Sequence, residues 1–201
     1  RTLREGNLFI ALPGKNFDGH DCLTAAAEKG AAGLLIRMDR GGKLGAGTKG
    51  LPVIGVPDTL RALGDIAGAW RRRFSFPVVA ITGSSGKTTT KEMLSAVASR
   101  SRKVLATEGN LNNLIGLPQT LLNIRKEHEL AVVEMGTNSP GEIARLAVIA
   151  RPDIGLITNI GPAHLERLGS IEAIASKTSG RLTTWIVEGE RCVSSSPASN
   201  Q

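Results

Sequence analysis

The sequence has no tyrosine, and aromatic residues make up only 3% of it. Proteins that hold RNA or single strands by stacking bases need aromatic platforms, so this scarcity speaks against that class. Cysteine is nearly as rare. Cys22 and Cys192 stand far apart without CxxC spacing, which gives neither a disulfide framework nor a zinc pattern and fits a reducing, cytoplasmic compartment. No apolar run reaches bilayer-spanning length. The opening Arg-Thr-Leu-Arg-Glu-Gly lacks the apolar stretch of a secretory signal. It also lacks an initiator Met, and the expectation is a chain that starts inside something larger or has been trimmed. No GxGxxG follows a strand pattern, against a dinucleotide-binding enzyme, and no guanine-specific Asn-Lys-x-Asp string occurs.

What is present suits a folded, globular chain. The 201 residues are 41% apolar and 21% charged, enough for one fair-sized core or two small ones and too apolar for a disordered polymer. The net charge of +7 raises the question of nucleic acid. The charge is dispersed, however, apart from Arg71-Arg72-Arg73. That run ends an expected helix, where cations suit the negative end of the dipole. Positive charge also serves a phosphate-rich small substrate. Neither nucleic acid nor membrane is expected as a partner.

Periodicity predicts an α/β fold in two parts. In the first, Leu8 to Leu12, Gly33 to Ile36 and Val53 to Val56 read as strands, the latter two buried. Asp21 to Lys29 reads as a helix stopped by Gly30, and Arg40 to Gly50 as a loop. Asp58 caps a helix to about Arg73 with Leu60, Leu63, Ala67 and Trp70 on one face. Phe74-Ser75-Phe76-Pro77 reads as a linker, because Pro77 cannot continue a helix. Strands then alternate with helices: Val78 to Thr82, Lys103 to Ala106, Leu130 to Glu134 and Ile154 to Thr158, separated by helices at Lys87 to Ser99, Leu117 to Ile124 and Pro140 to Ala150, with another at Ile171 to Lys177. Such alternation indicates a mostly parallel sheet with both faces covered. The expected organisation is a small N-terminal α/β domain over 1–76, a P-loop domain over 77–180, both partial, and an unassigned tail over 181–201 whose Ser-rich end reads as disordered.

The sharpest chemical signal is the strand Val78 to Thr82 running into Gly83-Ser84-Ser85-Gly86-Lys87-Thr88-Thr89 and a helix. Glycines let the backbone turn its N–H groups toward phosphate oxygens, and the helix start adds its positive end. Lys87 can reach the β- and γ-phosphates of ATP, and the Thr88 hydroxyl can ligate Mg²⁺. The usual pattern has Gly five residues before the Gly-Lys pair; Ile81 stands there, so this loop is shorter. A second acidic Mg²⁺ ligand belongs at the end of a neighbouring strand, and Glu134 closes the apolar run Leu130 to Val133.

The loop from Thr82 to Thr89 resembles that of the Mur ligase and folylpolyglutamate synthetase superfamily. Gly109 to Asn113, Glu134-Met135-Gly136-Thr137-Asn138, Pro140 to Ile143, Ala150 to Asp153 and Thr158-Asn159-Ile160-Gly161-Pro162-Ala163-His164-Leu165-Glu166 extend the likeness. In the first part Gly6 to Leu12 and Phe17 to His20 join them, so the similarity covers about Arg1 to Ala175. The Met-Gly-x-Asn and Gly-Pro-Ala-His strings favour the member that joins D-alanyl-D-alanine to a UDP-N-acetylmuramoyl-tripeptide. The resemblance implies an ATP-dependent, amide-forming ligase of peptidoglycan precursor synthesis. ATP would phosphorylate the tripeptide carboxylate, and the dipeptide amine would attack the acyl phosphate. It implies ATP and Mg²⁺ as cofactors and a cytoplasmic monomer acting on small molecules. By motif, Thr82, Gly83, Ser84, Ser85, Gly86, Lys87, Thr88 and Thr89 would hold the nucleotide, with Lys87 on the transferring phosphate. Thr88 and Glu134 would serve one Mg²⁺ and His164 a second metal. Asn112, Asn113 and Asn138 would shape the cleft, and Lys15, Asn16 and Phe17 would meet the uridine end.

The sequence departs from the family's pattern in three places. Leu114 stands where the family has Glu. Thr178 falls at the family's bridging lysine, with Lys177 one place early. A one-residue slip turns a helical side chain by about 100°. After Arg181 the likeness stops, so the expectation is a truncated or frame-shifted fragment that binds its ligands poorly and does not turn over alone. Another amino-acid ligase of the superfamily, a folylpolyglutamate synthetase-like enzyme, and a P-loop protein that is not a ligase remain as alternatives.

Overall fold

A computed structural model describes residues 3–14, 16–137, 139 and 141–159, and the backbone strands at 184–187 and 190–192. By contacts the chain divides into two compact units, Arg1–Leu63 and Gly64–Gln201.

The first unit holds three parallel strands in chain order: β1 (Leu8–Ile10), β2 (Gly33–Arg37) and β3 (Val53–Val56). β2 is central and apolar, and Leu34 and Ile36 pack with Ala11, Leu23, Ala26 and Ala31. A 3-10 turn (Gly19–Cys22) leads into helix α1 (Leu23–Glu28), shorter than the expected 21–29. The expectation of a buried strand at Val53 to Val56 is corrected in its burial. β3 is an edge strand, and Val53 and Ile54 are exposed. The expected loop at 40–50 contains two 3-10 turns, Met38–Lys43 and Ala46–Thr48.

Helix α2 (Thr59–Arg71) starts where the Asp58 carboxylate accepts from the N–H groups of Leu60 and Arg61 at 2.8 and 3.0 Å, the usual N-cap arrangement. The division between units falls inside α2, where the sequence pointed to a boundary after Phe76. The physical reason is packing beyond the helix. Ala67, Trp70, Phe74 and Phe76 all join the core of the second unit. The stretch read as a linker is tied down, since Arg71 donates to the carbonyls of Phe74 and Phe76 at 2.7 and 3.1 Å.

The second unit is a six-stranded sheet, β4 (Val78–Thr82), β5 (Val104–Ala106), β6 (Leu130–Glu134), β7 (Ile154–Ile157), β8 (Thr184–Val187) and β9 (Glu190–Cys192), in spatial order β5-β6-β4-β7-β8-β9. All pairs are parallel except β8 with β9. Alternation along the strands serves both faces. Val78, Ala80, Ala131 and Val133 point to α4 (Gly116–Leu122), α5 (Glu142–Ala150) and the end of α2. Val79, Ile81, Leu130 and Val132 meet α3 (Lys87–Ala98) through Leu94 and Ala98. Gly64 and Gly68 give α2 a smooth strip against α5. A Cβ on Gly64 would lie 2.7 Å from Ile149 Cδ1, and one on Gly68 would lie 3.3 Å from the Ile149 carbonyl oxygen. Leu114, at the family's Glu position, packs against this core.

Two strands lie within the span expected to be an unassigned tail. β8 extends the parallel ladder from β7, with Ile154 opposite Thr184 and Ile157 opposite Val187. The expected helix at 171–177, Lys177 and Thr178 lie outside the described residues. Among the described residues no helix is long and apolar enough to cross a membrane.

Candidate nucleotide site

The order of the strands decides where chemistry can gather. From β4 the chain steps past β6 to β5, returns to β6, then crosses to β7 on the other side of β4. The carboxyl ends of β6, β4 and β7 therefore lie side by side around the point where the order reverses, which is where open α/β sheets leave a crevice.

The loop after β4 turns there. Gly83 has φ +135° and Gly86 φ +79°, conformations that side chains with a Cβ rarely adopt. A Cβ on Gly83 would also run into the Thr158 hydroxyl. α3 begins at Lys87, and its first N–H groups have no partner inside the helix. Ser85, Gly86, Thr88 and Thr89 are exposed, so the loop opens to solvent. The Lys87 ammonium lies back over the turn, donating to the carbonyls of Gly83 at 2.7 Å and Ser84 at 3.4 Å.

Thr88 and Glu134 are brought together. The Thr88 hydroxyl donates to Glu134 Oε2 at 2.9 Å, and the Asn112 amide to Oε1 at 2.8 Å. Glu134 is 2% exposed. Two neutral donors fix the direction of both Glu134 oxygens at the rim of the loop, and a carboxylate taken out of water is best served by a cation beside it. Hydroxyl and carboxylate oxygens are hard donors of the kind Mg²⁺ takes, with phosphate and water completing its shell. The residues present therefore fit that ion. Among the described residues no cluster of three or more His, Cys, Asp or Glu offers an all-protein cage.

The other residues picked out in the sequence fall differently. Asn113 accepts the N–H groups of Ile115 and Gly116 on Oδ1 at 3.0 and 2.8 Å, within the turn that leads into α4. Asn112 also accepts the Gly136 N–H on its carbonyl at 2.8 Å, which binds its turn to the segment after β6. In the first unit Asn16 and Phe17 are exposed, Phe17 at 64%. Their loop is closed by a bridge between Pro13 and Asp18 and anchored by buried His20. The His20 ring takes the Arg37 N–H on Nε2 at 3.0 Å and faces Asp18 with Nδ1 at 2.6 Å. The backbone N–H and then the ring of His20 hold the Asp18 carboxyl at about 2, below its ordinary 3.8. Lys15, Asn138 and His164 lie outside the described residues.

Four residues to which the sequence assigns no role of their own complete the site. Asn159, just past β7, accepts the Ser84 N–H on its carbonyl at 3.1 Å and the Ser85 N–H on its side chain at 2.8 Å, and its amide donates to the Ser85 hydroxyl. The two serine amides are thus turned toward Asn159. Thr158 donates its hydroxyl to the carbonyls of Thr82 and Ser85 at 3.1 and 2.5 Å. Thr107 accepts the Glu134 N–H on its hydroxyl, and Lys91 reaches the Thr107 carbonyl. Asn and Thr at a strand end look like ordinary turn residues, and only the pairing of β4 with β7 brings them over the loop.

A loop of this kind at a sheet switch point, with Lys, Thr and an acidic strand end, defines a P-loop nucleotide-binding class. Residues 81–194, more than half of the chain, match the family model described as Mur ligase middle domain, and the chain belongs to the Mur ligase family. That match runs beyond Arg181, the expected end of the likeness. The chain is 47% identical over 175 residues to the UDP-N-acetylmuramoyl-tripeptide–D-alanyl-D-alanine ligase of Synechocystis sp., covering 87% of this chain and 38% of that protein. Among solved structures it resembles MurF from Acinetobacter baumannii with TM-score 0.78 and 37% identity, over 93% of this chain and 41% of that one. It also resembles the MurF ligase of Thermotoga maritima in complex with ADP, with TM-score 0.76 and 36% identity, over 92% and 43%. The chain thus spans about two fifths of the length of these relatives.

Proposed function

We propose that this chain is the nucleotide-binding portion of an ATP-dependent ligase that joins D-alanyl-D-alanine to UDP-N-acetylmuramoyl-tripeptide through an acyl phosphate. The observation that carries the proposal is the pairing of Thr88 with buried Glu134 at 2.9 Å beside a Gly-Lys-Thr loop, in a chain similar to ligases of that name. The similar Thermotoga protein was solved with ADP, which supports a nucleotide in the corresponding loop.

In this reading residues Thr82 to Thr89 bind ATP. Lys87 exchanges the Gly83 and Ser84 carbonyls for phosphate oxygens and steadies the transferring group. Thr88 and Glu134 hold Mg²⁺, which when bound offsets the crowded negative charge of phosphates and substrate carboxylate. A carboxylate resists attack by an amine until one of its oxygens leaves as phosphate, so positioning that carboxylate against the terminal phosphate is the protein's main task. Asn112 orients Glu134, while Asn113 and Asn138 shape the cleft. His164 serves a second metal, and Lys15, Asn16 and Phe17 meet the uridine end. The 1–76 region recognises the UDP substrate. The reading places the protein in the cytoplasm as a monomer.

The test is an assay with ATP, Mg²⁺, UDP-N-acetylmuramoyl-tripeptide and D-alanyl-D-alanine, reading phosphate and pentapeptide. It is run on this chain and on a version extended to the length of its relatives. The extended protein is expected to form the pentapeptide and to lose that activity with Lys87→Ala. This chain alone is expected to bind MgATP without turnover. Ligation of a different amino acid, with none of D-alanyl-D-alanine, would sink the substrate assignment.

A further inference from the structure

Lys91 lies one turn into α3 from the phosphate loop and is 0% exposed. An ammonium is costly to remove from water unless its donors are satisfied, and an apolar side chain would fill the same space without that cost. Its donors go to two places. One is the carboxylate of neighbouring Glu92 at 2.7 Å, and the other is the backbone carbonyl of Thr107 at 2.7 Å.

Thr107 follows β5 and is itself buried. Its N–H still donates to Val132 on β6 at 3.1 Å, prolonging the ladder by one bond. Its hydroxyl accepts the N–H of Glu134 at 3.0 Å. The path from the lysine therefore ends on the backbone of the carboxylate that meets Thr88. Thr88 and Lys91 belong to the same helix, three positions apart, and so lie on neighbouring parts of its surface. The contacts close a ring: Thr88 hydroxyl to Glu134 carboxylate, Glu134 N–H to Thr107 hydroxyl, Thr107 carbonyl to Lys91, and back through α3.

We infer that Lys91 is a positioning residue, which sets Glu134 against Thr88 by holding Thr107. The inference rests on the reading of Thr88 and Glu134 as the Mg²⁺ side of a nucleotide site, and goes beyond it by assigning a role to a residue that touches neither nucleotide nor ion. Lys91 fixes the start of the segment that also carries Asn112, so Glu134 is held at its N–H from one end of that segment and at its carboxylate from the other.

The test is equilibrium binding of ATP to the purified chain, once with Mg²⁺ and once with EDTA. Wild type is compared with Lys91→Met, Lys91→Gln, Thr107→Val and the double variant Lys91→Met/Thr107→Val. Partners that hold a metal ligand from behind are worth about 10- to 100-fold in metal affinity. Lys91→Met and Thr107→Val are each expected to weaken MgATP binding about tenfold, toward the low end of that range. Binding in EDTA stays unchanged, and the double variant is no worse than the weaker single one, because both act through one path. Amide hydrogen exchange supplies a readout independent of nucleotide: the Glu134 N–H exchanges faster in Lys91→Met, while Val133 keeps its protection. Lys91→Gln retains a donor and is expected between wild type and Met; it carries the test if Lys91→Met does not fold. MgATP binding at wild-type strength in the Lys91 variants, equal losses with and without Mg²⁺, or additive losses in the double variant overturn the inference alone. A wild type that does not bind MgATP, or binds it regardless of Lys87→Ala, overturns the nucleotide reading and this inference with it.

Discussion

The buried polar side chains of the two units have different destinations. In the first unit His20 bonds outward to Asp18 on its own turn and to the backbone of Arg37 at the end of β2. Thr48 bonds to the carbonyl of Gly45. Thr48 closes a turn of its own, and the His20 contacts join a turn to a strand end. In the second unit Lys91, Thr107 and Glu134 form one connected path that ends at the exposed loop, where Thr88 meets the carboxylate. Buried polar groups are tolerated wherever they are satisfied. What marks a candidate site is that several of them converge on a surface where a ligand can enter.

The contrast can be broken most severely in the core that supports the second unit. Leu146 on α5 is fully buried, and Leu146→Ala should cost about 2–5 kcal/mol in urea denaturation. Its surviving folded fraction should still bind MgATP, since Leu146 lies away from the loop. Gly83→Ala should cost less, about 1–3 kcal/mol of backbone strain, yet abolish MgATP binding, because φ +135° and the Thr158 hydroxyl leave no room for a methyl. A Gly83→Ala protein that binds normally would remove the distinction between core and site. Asp58→Ala deletes the cap of α2 and should cost about 1 kcal/mol, with MgATP binding unaffected.

The smallest effect belongs to the first unit and to acid. Asp18 is held at about 2 by His20, against 3.8 when unconstrained. A carboxylate with a depressed folded value contributes stability that is complete above the unfolded value and is lost as pH falls through the folded one. Urea midpoints should therefore drop between pH 5 and pH 2.5, and Asp18→Asn should flatten that dependence. A drop of equal size in Asp18→Asn would assign it to other carboxylates.

How much of this was legible beforehand depended on how local each signal was. Strand, Gly-rich turn, Lys87-Thr88 and helix follow one another in the chain, so sequence alone located the loop. Glu134 was legible because a charge ending an apolar run is conspicuous. The two strands that carry them were placed with their full bounds, Val78–Thr82 and Leu130–Glu134. Lys91 was not legible. A lysine on a helix reads as a solvated residue, and its burial arises from α3 lying over β5 and β6. Asn159 depended on β7 pairing with β4, a contact across 75 residues or so of chain. The exposure of β3 was missed because Val-Ile-Gly-Val has the composition of a buried strand. β8 and β9 were missed because they follow one another without an intervening helix, outside the strand–helix alternation that marked the earlier strands.

The smooth strip formed by Gly64 and Gly68 has a consequence for how this family member can drift. With Ile149 Cδ1 2.7 Å from where a Gly64 methyl would sit, Gly64→Ala requires the tip of that side chain to move aside. At Gly68 the neighbour is the Ile149 carbonyl oxygen at 3.3 Å, and trimming the Ile149 side chain does not relieve that contact. A smaller side chain on α5 can therefore compensate for a methyl at Gly64 but not for one at Gly68.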